Sequence, residues 1–367
     1  MSRWPPGTGQ LRYVEATVEM SAEIEIHTEI GSIAPEWDDL AGEADLPPFL
    51  RPGWLSAWWS AFGGGRLLIL AVRRAGGLVG VLPLRQKGSV LSSPTNWHTP
   101  LYGPAAADRS ALRAVVAGIL SLHPRRLDLS FLDGEGPAAQ ELRGLDGYYR
   151  LVEQTTWRSP YLAVTGDWEA YWQGVSGNLR HTVRQGSRRL AEIGEVSLEI
   201  ESGAQRLDDL LAEGFEVEAR GWKGQRGTAV ASDPQTLSFY TQLARWAASR
   251  GLLRLAFLRV DGRAVAFQFS LESQGKHYLL KPGYDEGFKK AGPGTVLTCR
   301  MIERAFALGL DTYEFLGADD EYKMRWASGV HPRVQIQAFA TSPTGAIDRS
   351  IQTHGRALAR KVMRART

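Results

Sequence analysis

Residues 277–298 read HYLLKPGYDEGFKKAGPGTVLT, and this stretch decides how the rest of the chain is interpreted. An apolar strand runs into a Lys-Lys-Ala-Gly-Pro-Gly-Thr turn, and the turn opens a long amphipathic helix. The start of a helix leaves backbone N–H groups unpaired at the positive end of its dipole, so an anion such as a pyrophosphate can bind there. The same strand, turn and helix also occur where nothing binds. The stretch alone therefore leaves two interpretations, an anion site or a plain connection.

The residues of this turn suit the first interpretation. Gly292 and Gly294 let a ligand approach the backbone closely, and Pro293 fixes φ at the first helical position. Lys289 and Lys290 add positive charge beside the turn.

Length and composition limit what the chain can be. Its 367 residues suit two domains, and 43% hydrophobic with 23% charged residues is typical of a globular protein. A net charge of +3 is too small to indicate nucleic acid. The single cysteine, Cys299, excludes a disulfide framework and a multi-cysteine metal site, and its helical setting predicts a buried packing thiol.

Sequence features also bear on location. No apolar run approaches the roughly 20 residues that cross a bilayer, and the start MSRWPPGTGQ lacks the apolar core of a signal peptide. We therefore expect a cytoplasmic protein. Residues 1–19 show no clear period and are predicted to be a disordered tail.

The first part of the chain predicts an order of elements. Short helices begin at Pro35 and Pro52, and RLLILAVRR and LVGVLPLR form a β-hairpin around Gly76-Gly77. Pro83 predicts that the second strand lies at a sheet edge or a strand end. After an irregular stretch, a helix from Arg109 to Leu122 leads to the strand RLDLSF.

The same order returns in the second part. LLRLAFLRV and RAVAFQFSL form a hairpin around Asp261-Gly262, and Gln274-Gly275 leads to the third strand, HYLLKPGY. The helix Thr295 to Leu308 and the segments DTYEFLG, EYKMRWA and RVQIQAFA follow. This order predicts an α+β layer arrangement, with the ligand site where the third and fourth strands separate.

A helical insertion lies between the two parts. Arg180, Arg184 and Arg188 recur at spacing four and share one helical stripe. The stripe is either a solvated basic face or a contact surface for a phosphate-bearing substrate, cofactor or partner. Farther on, Trp222 and Lys223 lie in GWKGQRGTAV, a glycine-rich segment typical of a loop that presents side chains.

These motifs together resemble a known family. DWEAYWQGVSGNLRHTVRQGSRRL, GWKGQRGTAV, KPGYDEGFKKAGPGTVL and FLGADDEYKMRWA are similar to the CelD-like acyltransferases of the GNAT superfamily, and distantly to the FemAB-type peptidoglycan aminoacyltransferases. The resemblance is most specific over Gly166 to Arg333. It implies an α+β fold of tandem GNAT-like units, each a mixed central sheet flanked by helices, with the cofactor site in the second unit.

The resemblance also implies a domain division. Residues 20–160 are predicted to be a degenerate GNAT-like domain, and residues 161–345 the acyltransferase domain with its helical insertion. Residues 346–367 are predicted to be a basic helix or tail. Such a helix can lie on anionic lipid at the inner face of the membrane, or the terminus can simply be solvated.

For such a family the chemistry is direct transfer of an acyl group from coenzyme A to an amine, without a metal. The resemblance assigns the cofactor site to Lys281, Lys289, Lys290, Gly292, Pro293, Gly294 and Thr295. An N–H of the strand around Leu280 to Gly283 is expected to face the thioester oxygen.

Catalytic and acceptor residues follow from the same resemblance. Tyr322 is expected to protonate the departing thiolate, because a Tyr often follows the fourth strand in these enzymes. Glu218 or Asp285 is the expected base, with Glu216, His277 or a water left open, and Glu216 and Glu218 cannot share a helix face.

Lys323 and Trp326 match a Tyr-Lys then Trp pattern of the family, and Lys323 either serves the reaction or pairs with Asp319 or Asp320. Trp222, Lys223, Arg184, His277 and Trp326 are assigned to the acceptor side. His277 can equally be a structural histidine.

Three functions remain open from the sequence. The first is an acyl-CoA-dependent N-acyltransferase for an amine of a saccharide, lipid or cell-envelope precursor. The second is a FemAB-like transferase that uses aminoacyl-tRNA, indicated only by the basic helix. The third is a non-catalytic GNAT scaffold in envelope polysaccharide biosynthesis.

Overall fold

A computed structural model describes residues 22–221, 227 and 229–351. The predictions for residues 1–19, for Trp222 and Lys223 and for the end of the chain after residue 351 lie outside the described residues.

The elements follow the predicted order in both parts of the chain. The helices are α1 (Ala34–Glu43), α2 (Pro52–Phe62), α3 (Arg109–Ser121), α4 (Pro137–Arg143), α5 (Trp168–Gly174), α6 (Gly177–Ile193), α7 (Leu207–Ala219), α8 (Pro234–Ser249), α9 (Pro293–Ala307) and α10 (Glu321–Met324). The strands are β1 (Glu23–His27), β2 (Arg66–Arg74), β3 (Gly77–Lys87), β4 (Val90–Ser92), β5 (Ala105–Ala106), β6 (Arg126–Asp133), β7 (Tyr149–Ala163), β8 (Val196–Glu201), β9 (Leu253–Val260), β10 (Arg263–Ser273), β11 (Lys276–Tyr284), β12 (Thr312–Glu314) and β13 (Gly329–Ala340).

Within the described residues these strands form one mixed sheet. Its order is β1-β2-β3-β4-β6-β13-β7-β12-β11-β10-β9-β8, with β5 paired to β3. Helices pack on the sheet as layers, so the predicted α+β class is confirmed. We call β1–β6 with α1–α4 the first unit, and β8–β12 with α5–α10 the second unit.

The two strands at the centre of the sheet connect the units. β7 follows the first unit in sequence but pairs with β12 of the second, and β13, the last strand, pairs with β6 of the first. β7 and β13 also pair with each other along Tyr149–Tyr161 and Gly329–Ala340. The predicted boundary between residues 160 and 161 falls inside β7. Each unit therefore completes its half of the sheet with a strand beyond its own sequence range.

Helices cover both faces of the second unit. α7 and α8, together with α2 of the first unit, pack on one face of β9–β11 around Trp58, Phe239 and Phe267. α5, α6 and α9 pack on the other face around Leu190, Leu297 and Tyr313.

Two of the three predicted hairpin turns are confirmed by their backbone angles. The first hairpin turns at Ala75-Gly76 and not at Gly76-Gly77, because Gly77 already pairs with Arg74 in the ladder. Asp261 and Gly262 both have positive φ (47° and 78°), as do Gln274 and Gly275 (51° and 69°). Two consecutive left-handed residues give the turn whose twist matches that of the paired strands, and Gly and Asp tolerate this conformation best.

The prediction from Pro83 is wrong. β3 is an interior strand, paired with β2 on one side and with β4 and β5 on the other. β5 pairs at Gly80 and Val81, and β4 pairs only from Arg85 onward. Pro83 lies between these two partners, so its missing N–H breaks no ladder on that side.

Among the described residues no helix is both long enough and apolar enough to cross a bilayer.

Candidate functional site

The site begins where two parallel strands separate. β11 and β12 pair only over Lys276–Tyr278 and Thr312–Glu314, and β11 then continues to Tyr284. After β12 the chain turns away, and Phe315 N donates to Pro160 O of β7 at 3.0 Å. The result is a wedge between the strands, as the sequence predicted.

A cavity of about 620 Å³ opens at this wedge. It is lined by Leu179, Glu218, Gly221, Phe267, Gln268, Pro282, Gly283, Tyr284, Lys289, Gly292, Gly294, Thr295, Leu297, Thr298, Tyr322, Arg325 and Trp326. Elements that are far apart in sequence, from α6 to α10, meet around it.

The first turn of α9 faces this cavity. Gly292 is the N-cap residue with φ 58°, and no side chain caps the helix. A Cβ on Gly294 would lie 3.2 Å from the Tyr284 ring, so a larger side chain there would enter the cavity or displace Tyr284. The Gly294 N–H can therefore bind an anion such as pyrophosphate. Pro293 has no N–H, and the Thr295 N–H donates to Gly292 O at 3.0 Å. Lys289 lines the same region and pairs with Glu286 at 3.6 Å.

The ladder between β10 and β11 carries an irregularity near the wedge. Phe269 pairs with Lys281 and Ser270 with Leu279, so the register skips Leu280. A bulged residue leaves the ladder and can direct its N–H elsewhere. Pro282 has no N–H, which limits the donors in this stretch to Leu280, Lys281 and Gly283.

Tyr322 also lines the cavity. α10 presents it at the cavity, although 49% of its surface is exposed. Protein packed around the hydroxyl, together with the charge of Asp320, raises the pKa of Tyr322 above its usual range. The phenol therefore stays protonated at neutral pH and can donate a proton. Trp326, one turn later, is buried and also lines the cavity.

The two candidate carboxylates on α7 point in different directions, as their spacing predicted. Glu216 is exposed and pairs with Arg220. Glu218 is only 1% exposed and lines the cavity, and its Oε2 accepts from Val230 N at 2.9 Å. Glu218 is thus the α7 carboxylate in position to take a proton within the cavity.

Two other proposed catalytic residues are held by structural contacts. Asp285 is buried, caps the following 3-10 turn through Gly287 N at 2.8 Å, and pairs with Arg263 at 2.5 Å. The Lys323 ammonium is also buried. It donates to Leu316 O and Ala318 O and pairs with Asp320 at 2.8 Å, so the pairing alternative from the sequence is observed.

Lys281 and His277 also lie away from the cavity lining. The Lys281 ammonium lies over the rings of Trp97 and Tyr240, at 4.8 and 5.3 Å from their centroids. This places it among the residues that pack under α8 rather than beside α9. His277 is buried, contacts Glu272 at 3.0 Å and stacks on Tyr313. The structural alternative for His277 fits these contacts.

The remaining predicted residues have simpler positions. Pro293 is buried at the first position of α9, and Lys290 is exposed, with its carbonyl accepting from Arg189. Arg184 is exposed on α6. Cys299 is buried, and burial raises the pKa of its thiol to about 12, which fits the predicted packing role.

Several cavity residues escaped the sequence reasoning. Gln268 and Thr298 form polar parts of the wall, and Leu179, Tyr284 and Arg325 complete it. The sequence could have indicated Gln268, because it is a lone amide inside the apolar strand RAVAFQFSL. Arg325 and Leu179 gave none, since only the fold brings α6 and α10 together.

A comparison with protein families gives one match. Residues 177–324 match the family model described as the acetyltransferase (GNAT) domain. The matched range runs from the start of α6 to the end of α10 and contains every residue of the cavity lining except Arg325 and Trp326. Among curated proteins, none matches the chain.

Solved structures share the fold across both units. The C-terminal domain of a protein described as a lysylphosphatidylglycerol synthetase from Agrobacterium fabrum has a TM-score of 0.55 at 12% identity, covering 88% of this chain and 97% of that one. FemX has a TM-score of 0.57 at 13% identity, covering 87% of this chain and 97% of its own. At such low identity these similarities show the fold alone.

Proposed function

We propose, on the premise that residues 177–324 form a GNAT acetyltransferase domain, that this protein is an acyl-CoA-dependent N-acyltransferase acting by direct transfer. One observation carries the proposal. A single cavity holds the uncapped first turn of α9, the unpaired edge of β11, a protonated phenol and a buried carboxylate.

The donor would bind along the wedge. The N–H of Gly294 would bind the pyrophosphate, with Lys289 as an added charge. The Thr295 N–H is already used, since it donates to Gly292 O at 3.0 Å. Bound acyl-CoA supplies the thioester, and an N–H near the Leu280 bulge would stabilise negative charge that develops on its oxygen.

Two side chains then handle the protons. Glu218 would take a proton from the acceptor amine, and Tyr322 would give one to the sulfur as the thioester carbon–sulfur bond breaks. An amide bond forms and a thiol leaves, so a neutral amine loses one proton and the thiolate gains one. The reaction balances without a covalent intermediate on the enzyme.

We propose an amine of a saccharide, lipid or cell-envelope precursor as the acceptor. The support is the shared fold with the Agrobacterium protein described as a lysylphosphatidylglycerol synthetase, together with the resemblance in sequence motifs. The basic terminus 356–367 would add peripheral contact with anionic lipid.

One observation favours a second candidate, a FemAB-like transferase that uses aminoacyl-tRNA. α6 carries the exposed Arg184 and Arg188, and the same helix contributes Leu179 to the cavity wall. Arg189 on this helix donates to Lys290 O at 2.6 Å, which ties α6 to the turn before α9. A polyanionic donor could follow this basic surface into the cavity.

Isothermal titration with coenzyme A, acetyl-CoA and a long-chain acyl-CoA tests the proposal. We expect the wild type to bind and Gly294→Trp to lose binding by at least about a hundredfold, because the indole would occupy the anion site. Ser110→Trp, at the same position of helix α3 in the first unit, is the matched control and should bind normally.

The outcomes separate the three functions. Absence of binding to every acyl-CoA contradicts the proposal. Binding and turnover with aminoacyl-tRNA instead would support the second candidate, and binding of neither donor would leave the non-catalytic scaffold.

A further inference from the structure

A chain of hydrogen bonds runs beneath the start of α9. The Tyr313 hydroxyl donates to Gln268 Oε1 at 3.1 Å, and Gln268 Nε2 donates to Thr298 Oγ1 at 3.1 Å. The Thr298 hydroxyl donates to Gly294 O at 2.9 Å. The chain thus links β12, β10 and the first turn of α9.

The direction of this chain is fixed by its members. Thr298 has one hydroxyl hydrogen, which goes to Gly294 O, so Thr298 must accept from Gln268. An amide oxygen can only accept, so Gln268 Oε1 takes the hydrogen of Tyr313. Burial raises the pKa of Tyr313, which keeps that hydrogen in place. The Gln268 amide therefore has one orientation.

In this orientation only one of the two N–H groups of the Gln268 side-chain amide donates within the hydrogen-bond chain. An amide nitrogen carries two, and Thr298 accepts only one of them. Gln268 is 1% exposed and lines the cavity beside Phe267 and Leu297. Among the described residues the second N–H has no hydrogen-bond partner, and an unmet buried donor costs about 1–3 kcal/mol. This N–H is suited to an oxygen of the bound ligand.

The position along α9 indicates which oxygen. Thr298 lies one turn, or about 6 Å, beyond Gly294, where the pyrophosphate would bind. In coenzyme A the first carbonyl after the pyrophosphate belongs to the pantoyl unit, several bonds along the arm. Farther along, the arm carries two amide N–H groups, a second carbonyl and the terminal thiol. The amide N–H groups cannot accept, the thiol is a weak acceptor, and the second carbonyl lies farther from the pyrophosphate, so the pantoyl carbonyl is the carbonyl acceptor nearest to Gln268.

We propose that Gln268 is a donor-recognition residue whose free N–H binds the pantoyl carbonyl of the coenzyme A arm. The inference rests on the proposed function, since it requires acyl-CoA as the donor. Tyr313 and Thr298 are positioning residues, because they act by fixing the Gln268 amide.

Two ligands separate recognition of the arm from support of the helix. Coenzyme A contains the pantoyl carbonyl, whereas adenosine 3′-phosphate 5′-diphosphate keeps the nucleotide and pyrophosphate and lacks the arm. In isothermal titration we expect Gln268→Met to weaken coenzyme A binding by about five- to thirtyfold and to leave binding of the nucleotide unchanged.

Two further variants test whether the loss comes from the N–H of Gln268 and from its fixed orientation. Gln268→Glu keeps an acceptor for Tyr313 and the side-chain length but lacks the N–H, so it should show the same selective loss. Tyr313→Phe keeps the amide and frees its orientation, so coenzyme A binding should weaken less than in Gln268→Met. Circular dichroism and thermal melting report whether each variant folds.

Two results would overturn the inference. Equal loss of both ligands in Gln268→Met and Gln268→Glu would mean that Gln268 supports the first turn of α9 and not the arm. Unchanged coenzyme A affinity in both variants would mean that it contacts no part of the donor. If the wild type binds the nucleotide and coenzyme A equally, Gln268 has no arm to recognise; if it binds neither, the proposed function fails as well.

Discussion

The two units contain the same strand, helix and parallel strand, yet their helices start differently. α3 begins after Asp108, whose carboxylate accepts from Ala111 N at 2.7 Å and pairs with Arg74 at 2.9 Å. α9 begins after Gly292, with no side-chain cap. In the first unit the chain supplies its own anion to the unpaired N–H groups, whereas in the second these groups face a cavity.

The strands before these helices, β4 and β11, also differ in what lies beyond their ends. β4 ends at Ser92, and the loop that follows carries His98 into the second unit, where its ring nitrogens lie 3.2 Å from Tyr240 Oη and Thr236 Oγ1. Burial and the charge of Lys281 lower the pKa of His98 to about 3, so the ring packs as a neutral group. β11 instead runs on beside an open wedge. The loop after β4 thus packs against α8 of the second unit, whereas the end of β11 borders the cavity.

The largest effect should come from removing the phenol at the wedge. Tyr322→Phe should lower kcat by about 10²–10⁴-fold and leave the coenzyme A Kd unchanged, because only the proton donor is lost. Thiol release from acyl-CoA, with an amine found by screening, measures this. Tyr148→Phe, at a similarly exposed Tyr after α4 of the first unit, is the control. Full turnover in Tyr322→Phe would remove Tyr322 as the general acid.

The first unit should respond in stability rather than binding. Asp108→Ala should lower the free energy of unfolding by about 1 kcal/mol through loss of the N-cap, with no change in coenzyme A binding. Denaturant unfolding and titration check the two halves of this prediction. Weaker coenzyme A binding in Asp108→Ala would contradict the division of roles between the units.

The effect of Asp108→Ala on the free energy of unfolding should also depend on pH. Arg74 and the Ala111 N–H lower the pKa of Asp108 in the folded protein, so its contribution is complete above the unfolded pKa near ~3.9. As pH falls through the lower folded pKa, that contribution is lost. The stability gap between wild type and Asp108→Ala should therefore shrink in acid.

The smallest effect should be at the rim of the cavity. Lys289→Met should weaken coenzyme A binding about two- to fivefold, because an exposed charge near a helix start contributes a few tenths of a kcal/mol to 1 kcal/mol. The loss should fade at high salt. Lys87→Met, an exposed Lys of the first unit, should change nothing, and an equal loss there would indicate a general charge effect.

Much of the fold was predictable because it rests on local rules. Asp261-Gly262 and Gln274-Gly275 occupy the left-handed conformation that such turn residues favour. The Gly-Pro-Gly turn predicted where α9 starts, and the order of strands and helices predicted the wedge. Tyr322 and Glu218 line the cavity as the resemblance implied, and their catalytic roles stay predictions.

The sequence did not predict which face of a strand a side chain takes. β10 and β11 are covered on both faces, so their apolar residues do not alternate with polar ones and the period gives no orientation. The resemblance assigns Lys281 to the cofactor site, while the fold places its ammonium over the rings of Trp97 and Tyr240, under α8. Because the strand residues do not alternate, the sequence also does not indicate that Gln268 faces the cavity.

The sequence by itself thus determined the turns, the helix starts and the order of elements, since each depends on residues a few positions apart. Only the tertiary structure decided that β7 pairs with β12 of the second unit and β13 with β6 of the first. The same is true of the hydrogen-bond chain that Gln268, Thr298 and Tyr313 form under α9. Those contacts join residues that are distant in sequence, and their geometry exists only after the sheet has closed around both units.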